Sequence, residues 1–431
     1  MKPSNIPKLT WTVIFLITLI LILIWTLMTP LSVRFSDFSS SMRSLGQITG
    51  LVGMVLFSLT LILSTRIRLL EELFGGLDKV YRAHHFLGAS AFVLLLFHPV
   101  FLALRFILFS LKAAASSFLP INGFAVNVGI FSLATMILFL TFTFIIKIPY
   151  HYWKITHQFL GISYLFAVLH VIFIRSDISN SMGLRVYVFF FMILGIGAYL
   201  YRPLLARFIV SRAKYRVRSV KALNGSVVDI SLEPESADEK ILHCPGQFIY
   251  VSFRQKGISS ESHPFTISSG NEMKVTIKSL GDFTSDIKNL KQGALALIEG
   301  PYGKFCPSSY GKKQIWIAGG IGITPFLSIA EHLEKNNLSA DLFYSAKDRN
   351  DAIFLDKLEN ISKNNKNLRI FPYFTSEKGR LNTEFIMKNS DIKDKEIFIC
   401  GPAPMMNQFR KEFIRAGIKK EKIHMEEFQM I

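Results

Sequence analysis

The sequence predicts a multi-domain chain: a six-helix transmembrane bundle, then an antiparallel β-barrel, then a doubly wound α/β nucleotide-binding domain. Two observations carry this prediction, the uneven distribution of charge and a change in hydrophobic period. Residues 1–200 contain 14 Lys or Arg and 5 Asp or Glu, whereas residues 201–431 contain 35 and 26. We therefore expect the first half to lie in a membrane and the second half in water.

Six stretches without charged residues locate the expected spans. They cover residues 9–33, 44–65, 83–104, 113–146, 155–174 and 186–201. A spanning helix needs about 20 apolar residues, so the 34-residue stretch must include a loop around Asn122 and Gly123. Six spans put both termini on one side, where twelve basic residues flank the spans against six on the other side. The positive-inside rule then puts both termini in the cytoplasm. The expected location is the plasma membrane, which the chain would cross several times.

The second half consists of short strands and then of strand–helix repeats. Four runs of period-two alternation lie between residues 215 and 278, separated by turns that contain Gly or Pro, which is typical of an antiparallel barrel. From about residue 312 the pattern alternates strands and helices, beginning with a strand over 314–318 and a helix over 325–335. This alternation predicts a parallel, doubly wound sheet. We expect domains at residues 1–210, 211–308 and 309–431.

Two of the expected spans carry a histidine near each end. His84 and His98 are 14 residues apart, and His157 and His170 are 13 apart. A 14-residue step falls about 40° short of four helical turns, so the first two share a face. Two such helices side by side would offer two His–His pairs about 20 Å apart, an arrangement that holds two six-coordinate haems across a bilayer. The 13-residue step is about 140° short, so a π-bulge or kink is expected in the second helix.

Each histidine taken alone could equally be a packed, hydrogen-bonded residue. Ionisable residues inside spans are costly and usually functional, and two pairs at nearly equal spacing make coincidence a poor explanation. His85 lies about 100° around the helix from His84, so we interpret it as structural or interfacial. His151, beside Pro149, is interpreted in the same way.

The three cysteines, Cys244, Cys306 and Cys400, all lie in the second half and are interpreted as isolated thiols. They form no iron–sulfur or zinc spacing, which excludes reductases that pass electrons through a plant-type cluster. The net charge of +18 is shared equally by the two halves. In the first half it suits a membrane surface and in the second half nucleotide phosphates, and nothing indicates binding to nucleic acid.

A glycine-rich turn follows the first strand of the α/β region. Gly319, Gly320 and Gly322 would let backbone amides approach a pyrophosphate. Thr324 is expected to cap the following helix, and Pro325 suits its first turn. Such a turn is a weak signal by itself, because many glycine-rich turns are only tight turns.

Together, these motifs resemble the ferric reductase and NADPH oxidase family, in which a six-helix bis-haem membrane domain is fused to a ferredoxin–NADP reductase-like module. The resemblance covers nearly the whole chain, from about residue 40 to the C-terminus. It is carried, in chain order, by His84 and His98, His157 and His170, His263-Pro-Phe-Thr-Ile-Ser268, Leu280-Gly-Asp-Phe-Thr284, Gly300-Pro-Tyr-Gly303, Gly319-Gly-Ile-Gly-Ile-Thr-Pro325, Cys400-Gly-Pro402 and Phe428.

The resemblance implies roles for these positions. His84 and His157 would bind the iron of a cytoplasmic-side haem b, and His98 and His170 that of an outer haem b. FAD would be held by His263, Pro264, Phe265 and Thr266, with Lys278 and Thr284 near its phosphates. Thr266, Cys400 and Phe428 would lie at the reacting rings and are the candidate catalytic residues, with Phe428 covering the flavin.

The glycine turn (Gly319, Gly320, Gly322, Thr324, Pro325) and Cys400, Gly401 and Pro402 would flank the nicotinamide nucleotide. Lys347 and Arg349 follow the next strand and could neutralise the 2′-phosphate of NADPH, although Lys347 could equally be a solvated surface charge. No acidic residue stands just after Ser345, where one would favour NADH. The sequence therefore favours NADPH, with NADH possible.

The expected function is transmembrane electron transfer by an NAD(P)H oxidase or ferric reductase-type oxidoreductase. NAD(P)H would reduce FAD, and electrons would pass through two haems to an external acceptor. Oxygen, giving superoxide, is the preferred acceptor, and a ferric or cupric chelate is the alternative; Arg43 and Gln47 could polarise either. A rival from another class is a membrane transporter or haem-binding channel with a nucleotide-sensing domain.

One departure from the family pattern is Leu102, which stands where some superoxide-producing members carry a further histidine. The chain also lacks calcium-binding loops and proline-rich docking segments. We therefore expect no obligate regulatory subunit. The expected partners are membrane lipid, NAD(P)H and external oxygen or ferric chelate.

Overall fold

The computed structural model describes residues 8–201 and 212–426. The chain divides into two compact units, Met1–Ile209 and Val210–Ile431. In its described residues the first unit is helical. Its helices are α1 (Lys8–Met28), α2 (Leu31–Arg34), α3 (Phe38–Leu63), α4 (Arg68–Phe74), α5 (Leu77–Leu104), α6 (Leu111–Ser116), α7 (Phe124–Phe144), α8 (Tyr150–Gln158), α9 (Leu160–Phe173), α10 (Asp177–Asn180) and α11 (Met182–Leu200).

Six helical segments among the described residues are long and apolar enough to cross a membrane, as predicted. They are Leu9–Met28, Phe38–Leu63, Leu77–Leu104, Phe124–Phe144, Tyr150–Phe173 and Met182–Leu200. Several helices extend beyond the charge-free stretches, because charged turns near the membrane surface stay helical. In α5 these turns include Asp78 and Arg82, whose side chains form an ion pair at 3.1 Å.

The fifth span is interrupted at Phe159, between α8 and α9. The amide of Phe159 bonds to the carbonyls of Ile155 at 3.3 Å and Thr156 at 3.2 Å, and its own carbonyl accepts from Ile162 N at 2.9 Å. Such i to i+3 bonds tighten a helix and add about 20° of rotation per residue. The interruption lies between His157 and His170, where the 13-residue step predicts a kink.

Small residues and buried hydroxyls bring the spanning helices close together. Ser132 and Ser163 each donate a hydroxyl hydrogen bond to the carbonyl of the other, which joins α7 to α9. The Tyr164 hydroxyl, in α9, bonds to Ser58 of α3 at 2.7 Å and lies over Gly195 of α11, where a Cβ would be 2.2 Å from its oxygen. Close approach at small residues is the usual way in which membrane helices pack, since lipid provides no hydrophobic driving force between them.

The second unit begins with an antiparallel sheet. Its strands are β1 (Ala213–Asn224), β2 (Val227–Pro234), β3 (Phe248–Arg254), β4 (His263–Thr266), β5 (Met273–Lys278) and β6 (Leu295–Tyr302), with helix α12 (Asp282–Asp286) before β6. The strand order is β4-β3-β6-β1-β2-β5. A bridge between Ile267 and Val275 joins the two edges of the sheet, so it curls around a core that includes fully buried Ile230, Ile249 and Ile298.

The remaining residues form a parallel sheet covered on both faces. Its elements are β7 (Lys313–Gly319), α13 (Thr324–Ala330), β8 (Ser339–Ala346), α14 (Leu355–Asn364), β9 (Leu368–Phe374), α15 (Thr375–Lys378), α16 (Thr383–Asn389), β10 (Glu396–Cys400), α17 (Ala403–Arg415) and β11 (Ile423–Met425). The order β11-β10-β7-β8-β9 reverses direction between β7 and β10. Alternate residues of β7 enter two separate cores, Trp316 on one face and Ile315 and Ile317 on the other. The predicted fold class is confirmed.

Asp341, in β8, is the centre of a charged cluster that stabilises this sheet. Its carboxylate accepts hydrogen bonds from Arg369, Lys395 and Ser390, each at 2.6 Å. Burial alone would raise the pKa of Asp341, but these donors outweigh it and hold the pKa below the ordinary value of 3.8. The lowered pKa means that this stabilisation is present above the ordinary value and is lost as the pH falls through the folded-state pKa.

Asp341→Asn is therefore expected to destabilise the second unit by about 3 kcal/mol, the low end for breaking a buried ion pair, because Arg369 is half exposed. Urea unfolding of the protein measures this. The matched control is Asp356→Asn, which removes an exposed partner of Arg349 and should change the free energy of unfolding by less than about 0.5 kcal/mol. Equal effects of the two substitutions would contradict the prediction.

Candidate functional site

The four span histidines face each other as two pairs. The ring centroids of His84 and His157 are 6.1 Å apart, and those of His98 and His170 are 6.2 Å apart. Two imidazoles on opposite sides of one metal ion should have centroids about 6 Å apart, since each metal–nitrogen bond is about 2 Å long. Both pairs therefore have the spacing that two histidines need to bind one metal ion between them. These are the two pairs, His84 with His157 and His98 with His170, that the sequence analysis expected.

Hydrogen bonds to the helix backbone orient three of these rings. The Nδ1 atoms of His84, His98 and His170 are 2.8, 2.7 and 2.8 Å from the carbonyl oxygens of Thr60, Gly46 and Ala125. Each Nδ1–H donates to its carbonyl, which fixes the tautomer and leaves Nε2 as the nitrogen with a free lone pair.

His157 differs from the other three in the partner of its ring. Its Nδ1 is 3.4 Å from the hydroxyl of Thr143, a longer contact to a side chain. Its ring also stacks on Trp153, one helical turn earlier, at 5.2 Å. The orientation of this histidine therefore depends on side chains that can themselves rotate.

Two glycines allow His98 and His170 to approach the neighbouring helices. A Cβ on Gly50 would lie 2.6 Å from Nδ1 of His98, and a Cβ on Gly129 would lie 2.7 Å from Nδ1 of His170. Real Cβ atoms do not approach other atoms so closely, so any other residue at either position would push the histidine ring aside. The sequence analysis did not single out these glycines, and only the tertiary contact identifies them.

A buried polar cluster lies at the same end of α3 as Gly46. Arg34 pairs with Asp177 at 3.0 Å, stacks on Trp25 at 3.7 Å and donates to the Trp25 carbonyl. Gln47 donates to Asp177 at 3.1 Å and accepts from Arg34 at 3.5 Å. One N–H and one oxygen lone pair of the Gln47 amide are therefore already engaged, and the suggestion that Gln47 could polarise an acceptor stays a prediction. Arg43 is exposed.

The His263–Thr266 segment forms edge strand β4, paired with β3. The ring of Phe283, in α12, stacks on His263 at 4.0 Å and on Phe265 at 6.3 Å. Pro264 and Phe265 are half-buried, and Thr266 is buried. The segment thus presents a partly open aromatic surface next to an α12 N-terminus, although α12 is only one turn and a half long.

Thr284 lies in the first turn of α12. Its hydroxyl accepts from the amides of Leu280 and Gly281, both at 2.9 Å, and donates to the Gly281 carbonyl. These bonds hold the Leu280–Thr284 turn closed. Lys278 ends β5 just before this turn and is half-buried.

The glycine-rich turn connects β7 to α13 through a 3₁₀ turn over Gly320–Ile323. Gly320 has φ of 54°, which favours glycine. A Cβ on Gly322 would lie 2.4 Å from the carbonyl oxygen of Cys400 and 2.8 Å from the amide nitrogen of Gly401. Only glycine therefore allows this turn to reach the end of β10.

Two expectations for the helix after this turn are wrong. Thr324 does not cap it; Ile323 occupies the cap position, and the Thr324 hydroxyl donates to the Ile321 carbonyl from inside the first turn. The helix also ends at Ala330 and not at residue 335. Pro325 does occupy the first turn, as predicted.

The ends of β7 and β10 meet at the point where the sheet reverses its strand order. A Cβ on Gly401 would lie 3.1 Å from Cα of Gly319, so the two backbones are in contact there. Cys400 is fully buried, and burial, together with the nearby Glu426 carboxylate, raises the pKa of its thiol. Ligands of open α/β sheets bind at this kind of reversal, beyond the carboxyl ends of the strands.

Three segments of the chain match known domain families. Residues 49–168 match a ferric reductase like transmembrane component, residues 212–306 an FAD-binding domain, and residues 316–411 an oxidoreductase NAD-binding domain. The chain has a ferric reductase/NADPH oxidase-like architecture. The first match includes His84, His98 and His157 and ends two residues before His170. With its six apolar helices, this ferric reductase-like chain is a multi-pass membrane protein with the FAD- and NAD(P)-binding domains of an oxidoreductase.

Curated relatives that match part of this chain include a flavohemoprotein and a ferredoxin reductase component. The chain is 22% identical over 221 residues to a flavohemoprotein of Xylella fastidiosa, covering 47% of this chain and 55% of that protein. It is 25% identical over 221 residues to the ferredoxin reductase component of 3-ketosteroid-9-alpha-monooxygenase of Mycobacterium tuberculosis, covering 49% and 62%. The chain thus spans 55% to 62% of the length of these two relatives.

Among solved structures, the ferric reductase-like chain resembles a flavohemoglobin of Malassezia yamatoensis with bound FAD and heme. The match has a TM-score of 0.52 and 20% sequence identity, and covers 90% of this chain and 97% of that one. At this identity the likeness is one of fold.

The residues expected to select the nucleotide lie after β8. Lys347 is exposed, and Arg349 pairs with Asp356 at 2.8 Å and with Glu359 at 3.5 Å. Two carboxylates therefore compete with a phosphate for Arg349. This leaves Lys347 as the better candidate for contact with a 2′-phosphate.

The sequence analysis missed two features of the second unit (Val210–Ile431), called the reductase unit below. Glu426 is buried, and its Oε1 atom is 2.5 Å from where a Cβ on Gly303 would lie. The interpretation of Cys244 and Cys306 as isolated thiols is wrong, because their side chains hydrogen-bond to each other. Neither contact has a sequence signal, since each joins residues far apart in the chain. Phe428 lies outside the described residues.

Proposed function

We propose that this protein carries electrons from cytoplasmic NAD(P)H, through FAD and two haem b groups, across the plasma membrane to an external acceptor. The observation that carries the proposal is the pair of histidine sites, with centroid separations of 6.1 and 6.2 Å. Two histidines leave the coordination of an iron incomplete, and the four nitrogens of a porphyrin would complete it. The residues present therefore fit haem at both levels.

In the second unit, the chain's residues would bind the nicotinamide nucleotide and FAD and orient their reacting rings. The amides of the Gly319–Gly322 turn and the Cys400–Pro402 segment would hold the nicotinamide nucleotide where β7 and β10 meet. The aromatic surface of β4 and α12 would hold FAD, with Thr266 and Phe265 at its ring and Lys278 at its phosphates. When bound, FAD takes a hydride and haem iron takes one electron at a time, so flavin converts a two-electron donor for one-electron carriers.

On the membrane side, His84 and His157 would hold one haem and His98 and His170 the other. With two histidines at each level, these residues would hold the iron from both sides, and an external acceptor would then need no iron-binding position of its own. Oxygen, giving superoxide, is the acceptor that we propose, since a small neutral molecule needs no dedicated site. The second candidate is a ferric chelate, which is favoured by the similarity of residues 49–168 to ferric reductase like proteins.

The test is an absorption spectrum of the detergent-purified protein, taken anaerobically before and after NADPH is added. We expect two haems per chain and the growth of a sharp α-band as the haem becomes reduced. Oxygen with a superoxide-specific probe, and in parallel a ferric chelate, then identifies the acceptor. Flavin bleaching without haem reduction would refute the electron path and favour a transporter or channel with a nucleotide-sensing domain.

Replacement of Phe428 tests the proposed flavin cover. We expect Phe428→Ala to reduce the preference for NADPH over NADH. Displacing an aromatic ring from the flavin uses binding energy, part of which the 2′-phosphate contacts made only by NADPH would supply, so those contacts should matter less once the ring is gone. Steady-state kinetics with both nucleotides measure the ratio of kcat/KM values. An unchanged ratio would count against this role of Phe428.

A further inference from the structure

Two thiols that are 62 positions apart in the chain meet in the reductase unit. Cys244 precedes β3, Cys306 follows β6, and their thiol groups interact with each other. Both residues are partly exposed, unlike Cys400, which is buried. Each lies in an irregular segment, where a small backbone movement is easier than in a strand.

The segments that carry these cysteines are held together by independent contacts. Gly246 has φ of 96°, and a Cβ there would lie 1.9 Å from the carbonyl oxygen of Phe305, so the two backbones touch one residue from Cys306. Gln247 bridges the same segments: its side chain accepts from the Cys244 amide at 2.8 Å and donates to the Gly303 carbonyl at 3.4 Å. The proximity of the thiols is therefore a property of the packed backbone.

The two thiols lie in different electrostatic environments. Hydrogen bonds from Cys306 and Ser308, with the nearby His332, lower the pKa of Cys244 to about 6 despite its partial burial. The interaction with Cys244, burial and the carboxylate of Glu426 raise the pKa of Cys306, with Lys304 acting in the opposite direction. These opposite shifts favour Cys244 as the attacking thiolate and Cys306 as the resolving thiol.

A cleft gives solvent access beside Cys244. It has a volume of about 500 Å³ and is lined by residues that include His243 and Pro245, the two neighbours of Cys244, and His332. A small neutral oxidant can therefore reach this part of the chain.

We propose that Cys244 and Cys306 are a redox modification site, at which hydrogen peroxide converts the two thiols to an intramolecular disulfide. The Cys244 thiolate attacks one peroxide oxygen, so that an S–O bond forms, the O–O bond breaks and the released hydroxide is protonated to water. The sulfur of Cys306 then attacks the sulfur of Cys244; the S–S bond forms, the S–O bond breaks, and the Cys306 proton leaves with the hydroxide as a second water. Two thiols are oxidised and one peroxide is reduced to two waters.

The disulfide would join the strand β3 side of the barrel to the connection between β6 and β7. That connection contains Gly303, which is packed against Glu426 and the ring of Phe248. The site does not depend on the identity of the external acceptor. Reversible thiol oxidation of this kind is the form in which disulfides usually occur in a reducing compartment.

The test uses the full-length, reduced protein, which is treated with hydrogen peroxide, alkylated and digested for mass spectrometry. We expect a cross-linked peptide that contains Cys244 and Cys306, that disappears after dithiothreitol treatment, and that leaves Cys400 reduced. Disulfides only between chains, or both cysteines still open to alkylation after peroxide treatment, would overturn the proposal.

Two serine variants test the assigned roles. In Cys306→Ser, dimedone should trap a sulfenic acid on Cys244; in Cys244→Ser, dimedone labelling of Cys306 should be at least about tenfold lower. In the unmodified chain, alkylation of Cys244 should be faster than that of Cys306 by a similar factor. Faster reaction at Cys306 would overturn the assignment of Cys244 as the attacking thiol.

Discussion

His98→Ala is expected to reduce the haem content from two per chain to one and to abolish reduction of the external acceptor. The substitution removes one member of the His98–His170 pair, whose ring centroids are 6.2 Å apart, and also the hydrogen bond to the Gly46 carbonyl that orients the ring of His98. Loss of even an orienting partner lowers metal affinity by about 10–100-fold, and loss of the ligand itself should cost more. NADPH should still bleach the flavin, because the nucleotide and flavin residues belong to the other unit.

The measurement is haem per chain by the pyridine haemochrome method, together with anaerobic flavin reduction. His170→Ala should give the same result, since it removes the other member of the pair. The matched control is His85→Ala, which removes an exposed histidine whose ring is 5.7 Å from that of His84 but which belongs to neither pair. Two haems in both His98→Ala and His170→Ala would refute the assignment of these ligands.

Gly322→Val is expected to lower kcat/KM for NADPH by about 10–100-fold. The new Cβ would lie 2.4 Å from a carbonyl oxygen and 2.8 Å from an amide nitrogen, both in the backbone at the end of β10, so the strand or the turn must move. Overpacking of this kind costs about 1–3 kcal/mol, and about 1.4 kcal/mol corresponds to a factor of ten in rate. Haem content should not change, because the haem ligands belong to the first unit.

Two other glycines provide a graded comparison for Gly322. At Gly319 a Cβ would meet the flexible end of Met405 at 2.8 Å, so Gly319→Ala should have a smaller effect than Gly322→Ala. Gly225 lies in the β1–β2 turn with nothing near its Cβ position, so Gly225→Ala should leave the kinetics unchanged. If Gly322→Ala and Gly225→Ala gave equal kcat/KM, the close approach of the turn to β10 would have no functional consequence.

Most of the fold could be predicted because burial of one face gives each strand or helix a regular spacing of hydrophobic residues in the sequence. The sequence pattern predicts strands over 273–278, 368–374 and 396–400. The structure has strands with the same bounds, Met273–Lys278, Leu368–Phe374 and Glu396–Cys400, because hydrophobic alternation and turn residues coincide there. Helix ends in the membrane were less predictable. Arg82 ends the charge-free stretch 83–104 but not helix α5, because its charge is paired with Asp78, one helical turn earlier.

The sequence predicts the spacing of the histidines along each helix but not the residues on other helices that contact them. The spacing of His84 and His98 follows from helix geometry, but their carbonyl partners on α3 do not. The pairing of Cys244 with Cys306 and of Arg34 with Asp177 also has no sequence signal, because each joins segments far apart in the chain. Thr324 illustrates the opposite error, since a local capping rule was overridden by a 3₁₀ turn that begins four residues earlier.

The backbone carbonyls that orient His84 and His98 belong to Thr60 and Gly46, which are also 14 residues apart. Helices α3 and α5 therefore have equal numbers of residues between these two contacts. Neither helix can gain or lose a residue there without breaking one of the two hydrogen bonds. One inserted residue would displace one contact by 1.5 Å and about 100° and leave the other intact. Helix α7 and the α8–α9 span have no such match, because 13 residues separate His157 from His170 whereas 18 separate their partners Ala125 and Thr143. Insertions and deletions should accordingly be tolerated better near Phe159 than anywhere between Gly46 and Thr60.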